Sequence, residues 1–178
     1  MIGRTRIALI GAALLAFPAN AADEPLQPAS GAWLVATFRS VCVDPFGDEE
    51  KVRATAESAE LGFTPVLNEG PLVQPGSGWR SPRAALYYSS GEGLPRDLPS
   101  PQCSLTALAE TGYDHAATAA ALESALSLPP GKTRGKNGRF QTEWNLAGPG
   151  TNKRKIFLSA EPGPSGTRLR LSHLNLRK

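Results

Sequence analysis

Long apolar runs are scarce in this sequence. The one that exists, from Ile7 to Phe17, is too short to span a bilayer, which takes about 20 residues, and no second run follows it. Histidine is scarce as well: His115 and His173 are the whole supply. Cysteine is limited to Cys42 and Cys103, with no CxxC pair. That combination leaves no metal-ligand spacing of the zinc type, so no metal and no cofactor is expected. No GxSxG and no HExxH occurs, so the common hydrolase and metalloprotease signatures are missing. Aromatic residues make up only 7%, which disfavours base stacking on an open surface and with it nucleic acid as a partner.

The apolar run itself is informative. Arg4 and Arg6 precede it, Pro18 ends it, and Ala19-Asn20-Ala21 offers small residues where a signal peptidase cuts. A signal peptide over residues 1–21 is therefore expected. A single domain over 22–178 would follow, with no membrane span after cleavage, in a periplasmic or secreted setting. An even cysteine count in an oxidising compartment predicts a disulfide between Cys42 and Cys103, with a catalytic thiol or metal ligation as the alternatives.

Apolar spacing predicts an α+β domain. Ser30 can cap a helix whose stripe is Leu34, Phe38, Val41 and Cys42. Asp48 can cap a second, with Val52, Ala56, Ala59 and Phe63 on one face and Gly62 at its end. Residues 64–83, rich in Pro, Gly and Ser, read as a long loop, with Trp79 pinning it to the core. Strands are expected over Ala84 to Ser89 and around Cys103, Leu105 and Ala107. Asp114 should cap a third helix through Leu126, stopped by Pro129 and Pro130. Three strands close the chain, with Phe140 and Trp144 at core parity. In the last, Leu174 and Leu176 fall opposite to Leu169 and Leu171, which predicts a bulge or strand end near His173. The expected order is α-α-β-β-α-β-β-β, with about three helices on a mainly antiparallel sheet of about five strands.

Charge is divided sharply along the chain, although the net value is only +3. From Lys132 onward, eleven Lys and Arg face only Glu143 and Glu161. Lys132, Arg134, Lys136, Arg139, Lys153, Arg154 and Lys155 form a candidate anion-binding patch. Basic side chains at strand edges also keep sheets soluble, which is the plainer account of them. The GKT at 131–133 is not a phosphate loop. That motif needs a glycine where Leu126 stands, with a strand before it and a helix after, whereas here a helix precedes and a strand follows. The stretch reads as a helix-to-strand connection with a basic tip.

The segments FRSVCVD, LGFTPV and CSLTA, with a late Trp strand, resemble a family of small exported proteins of alphaproteobacteria. The resemblance runs from about Phe38 to Leu171. It implies export and a Cys42–Cys103 bridge, and carries no activity or catalytic residues. The leading expectation is a non-catalytic binding or modulator protein of the cell envelope, whose partner is an anionic envelope component or an acidic protein. A small hydrolase using His115 or His173, and a secreted inhibitor presenting the loop around Trp79, are the alternatives.

Overall fold

The computed structural model describes residues 25–66, 76–91, 100–147 and 153–176. The expected signal segment at 1–21 lies outside them. The architecture is α+β: among the described residues, three α-helices and a large, mainly antiparallel sheet.

The chain enters through β1 (Pro28–Ala29) and turns into α1 (Gly31–Phe38). Ser30 caps α1 by accepting from the Trp33 N–H at 3.2 Å. The helix continues as one π-helical turn, Arg39–Val43, which buries Val41 and Cys42. Asp48 caps α2 (Glu49–Ala56), accepting from the Lys51 N–H, and two glutamates in its first turn suit the helix dipole. Strands β2 (Thr64–Val66), β3 (Ser77–Arg80), β4 (Ala84–Ser89) and β5 (Gln102–Ala109) follow. Asp114 caps α3 (His115–Leu126), which ends at Ser127 in a left-handed conformation. Strands β6 (Lys132–Lys136), β7 (Arg139–Ala147), β8 (Lys153–Gly163) and β9 (Gly166–Leu176) complete the fold.

The sheet order is β2-β3-β4-β5-β9-β8-β7-β6, with β1 added in parallel beside β5. Register gives the sheet two distinct faces, because side chains alternate along each strand. Trp79, Leu86, Leu105, Leu171, Leu158, Thr142 and Thr133 form one row across seven strands. The helices cover this face. Its leucines and Trp79 are buried, and burial of each such side chain contributes roughly 1.5–3 kcal/mol. Cys42 in the π turn bonds to Cys103 in β5, closing a separation of 61 residues. The other face carries no helix among the described residues, and we call it the open face.

Several expectations need correction. Among the described residues the sheet has nine strands, not about five, and the element order differs accordingly. The expected loop at 64–83 contains β2 and β3 at its ends, while residues 67–75 lie outside the described set. The second helix stops at Ala56 rather than Phe63. Gly62, at φ +61°, turns the chain so that Phe63 still reaches the core, and Ala59 is left exposed. The basic stretch after α3 is a strand, β6, not a connection. No bulge occurs at His173, which pairs regularly with Cys103 and Ile156. His173 occupies a core position itself, so the apolar face of β9 continues through a histidine.

Candidate functional site

The open face concentrates the cations. Strand alternation places Lys132, Arg134 and Lys136 of β6 there, with Arg139 of β7, Lys153 and Lys155 of β8, and Arg168 and Arg170 of β9. One row runs Arg134, Gln141, Ser159, Arg170, Thr106. A cleft of about 830 Å³ at the β6–β7 hairpin is lined by Arg134, Lys136, Arg139, Gln141, Ser159 and Glu161, among others. Among the described residues, no carboxylate lies within ion-pair reach of Lys132, Arg134, Lys136 or Arg139. Lys155 does have a partner: it donates to Glu143 in a short ion pair. Toward the middle of this face, Arg170 donates to Ser104 Oγ at 3.2 Å, and Ser104 and Ser172 share a hydrogen bond at 2.9 Å.

Arg154 does not join the other six patch residues. It sits on the helix-covered face, where its Nε and Nη2 lie 3.2 and 2.9 Å from His173 Nε2 and its guanidinium stacks over Phe46. Strand parity contained this result, since Arg154 shares the parity of Ile156 and Leu158.

The two histidines are both built into the core side. His173 is fully buried and stacks on Phe46. Its Nδ1 donates to the Cys42 carbonyl at 3.0 Å, which leaves Nε2 unprotonated to accept from Arg154. Burial is the main cause that lowers its pKa to about 4, and the nearby Arg154 charge adds to it. His173 is therefore neutral at pH 7 with both nitrogens engaged. His115 bonds Tyr113 Oη through Nδ1 at 3.1 Å and Thr142 Oγ1 through Nε2 at 2.9 Å. Thr142 in turn bonds Thr133 Oγ1 at 2.8 Å, which ties α3 to β7 and β6. Burial lowers the pKa of His115 against the opposing effect of Asp114, and burial pushes Tyr113 up to about 12. A Thr–His pair of this kind has the spacing of a nucleophile and its base. Thr142, however, is only 1% exposed, so no substrate carbonyl can approach it.

Trp79 is pinned, as its place in the sequence suggested. It is buried and donates from Nε1 to Glu57 Oε1 at 2.8 Å. Of the aromatics near the patch, Trp144 is buried and Phe157 half-buried, while Phe140, at core parity, is 41% exposed because it lies beyond the helix cover and stacks on His115. Arg168 and Arg170 are open-face cations that the candidate patch omitted. Their alternation with Leu169 and Leu171 marked them as facing away from the core. Among the described residues, no group of His, Cys, Asp and Glu could hold a metal ion, and no helix is long and apolar enough to cross a membrane. The disulfide suits an oxidising environment.

No family model matches this sequence, and no curated protein or solved structure matches it either.

Proposed function

We propose that this chain is an exported, non-catalytic binding protein of the bacterial cell envelope, periplasmic or secreted, whose open sheet face docks an anionic partner. One observation carries the reading. Lys132, Arg134, Lys136 and Arg139 lie side by side on that face, the last three lining a cleft, and no carboxylate among the described residues lies within ion-pair reach of them. Cations kept only for solubility gain nothing from such clustering, which raises their mutual repulsion. The disulfide and the N-terminal sequence support the exported setting.

The test is binding of the oxidised protein to a heparin-like polyanion and to polyglutamate at two salt concentrations. A variant with Lys132, Arg134, Lys136 and Arg139 all changed to Ala runs beside it. Binding that weakens at least tenfold with salt and is lost in the variant is the expected result. Failure of both probes to bind, or binding that the variant keeps, would remove the reading.

A hydrolase centred on His115 is the second reading. It has one observation in its favour: His115, Tyr113 and Phe140 line a cleft of about 530 Å³. Retention of any hydrolytic activity by His115→Gln would discard it.

A further inference from the structure

Strand β6 ends the sheet, with β7 on one side and no strand on the other among the described residues. A two-residue turn joins them, Asn137 at φ 54° and Gly138 at φ 74°, the signature of a tight hairpin. Such a turn sets the hydrogen-bond parity. Lys136–Arg139, Arg134–Gln141 and Lys132–Glu143 are the pairs that exchange main-chain bonds. The N–H and C=O groups of Thr133 and Gly135 therefore point outward, away from β7. Gly131 shares their parity, but its N–H is taken by Glu123 Oε1 of α3 at 2.8 Å. The helix closes the edge at Gly131 and leaves it open over Thr133 and Gly135, both exposed.

The two sides of this open edge differ in chemistry. On the open face, Lys132, Arg134 and Lys136 stand at every second residue. On the other side, Gly135 has no side chain and Phe140 lies across it; a Cβ there would sit 2.5 Å from the ring. Phe140 is the one large hydrophobic residue exposed among the described residues.

We propose that β6 is a docking edge for an extended acidic polypeptide segment, which adds to the sheet as a further strand beside Thr133 and Gly135. This rests on the anion-binding reading of the open face and names its partner class. Main-chain bonds to Thr133 and Gly135 hold the segment. Carboxylates at alternate positions meet Lys132, Arg134 and Lys136, and the intervening apolar side chains lie over Phe140 and Gly135. A polysaccharide or nucleic acid offers anions but no main-chain ladder, so charge alone would not use this edge.

The probe is an octapeptide alternating Glu and Val, titrated into the full-length oxidised protein. Its controls are a peptide of the same composition with the acids contiguous, and two peptides with alternate amide nitrogens methylated, one for each edge of the probe. Methylation of the edge that faces β6 should weaken binding at least tenfold, and methylation of the other edge should leave it within about twofold. Amide exchange at Thr133 and Gly135 should slow on binding. On the protein, Thr133→Pro removes an outward N–H, while Thr133→Val keeps it and controls for the lost hydroxyl. Equal affinity for all four peptides, or for the two Thr133 variants, would overturn strand addition. Salt-sensitive binding of the heparin-like probe alone would overturn it too, and would leave the anion-binding reading standing. If no anionic probe binds, both are lost.

Discussion

The two faces of the sheet are made from the same strands and obey different rules. On the helix-covered face, most polar groups are given a partner: His173 meets Cys42 and Arg154, Thr142 meets His115 and Thr133, and Trp79 and Trp144 meet glutamates, while among the described residues the buried Tyr88 hydroxyl and Asn175 Oδ1 stand as exceptions. On the open face, the cations around the β6–β7 hairpin have no ion-pair partner among the described residues. A buried polar atom without a partner costs about 1–3 kcal/mol, so the covered face has little freedom in what it carries. The open face has that freedom, and uses it for eight lysines and arginines.

Breaking the covered face should therefore cost stability, and breaking the open face should not. The largest effect belongs to the disulfide. The double variant Cys42→Ala, Cys103→Ala should lose about 4 kcal/mol in denaturant unfolding, from the chain entropy released by opening a 61-residue separation. Loss of less than about 1 kcal/mol would mean that the bridge does little to hold the π turn on the sheet.

Next comes acid. The folded pKa of His173 is lowered from 6.5 to about 4, so the unfolded chain takes up a proton first as pH falls. The stability contributed by its neutral form is complete above pH 6.5 and is lost as pH falls through about 4. The loss is about 3 kcal/mol for a shift of this size. Urea unfolding at pH 7, 5 and 4 should follow that curve, and His173→Gln should flatten it. An unchanged slope in the variant would show that another group governs the acid limb.

The smallest effect is expected on the open face. Arg168→Ala should change stability by no more than about 0.5 kcal/mol, as is usual for exposed sites. A larger loss would mean that this face is built as tightly as the covered one.

Much of the fold was legible from the sequence where local chemistry decides structure. Ser30, Asp48 and Asp114 cap their helices through the expected side-chain oxygens, and α3 ends where the paired prolines required. Strand β4 matches its alternation. The misses have physical causes. Strand β6 holds no large apolar residue, so hydrophobic period could not reveal it. Its signal is Asn137-Gly138, a hairpin turn set between Lys136 and Arg139. His173 breaks the apolar alternation of β9 only while histidine counts as a polar residue. Once neutral and hydrogen-bonded on both nitrogens, it packs as a core residue. The cationic patch was legible as composition. Which face each residue takes came from register, and this is what separated Arg154 from the other six.

The contact between His173 Nδ1 and the Cys42 carbonyl has a further consequence. Residue 42 is moored to the sheet twice, once through its sulfur and once through its main chain, and the two moorings reinforce each other. With the bridge reduced, the hydrogen bond still holds the Cys42 thiol beside its mate, at a high effective concentration for reoxidation. Protonating His173 at Nε2 removes the acceptor that Arg154 uses and sets a second charge beside it in a buried site, which works to drive the ring from its seat even though the Cys42 carbonyl itself favours the charged ring. Acid and reductant together should then unfold the protein by more than the sum of their separate effects, and a four-cornered comparison of oxidised and reduced protein at pH 7 and pH 4 would read that excess directly.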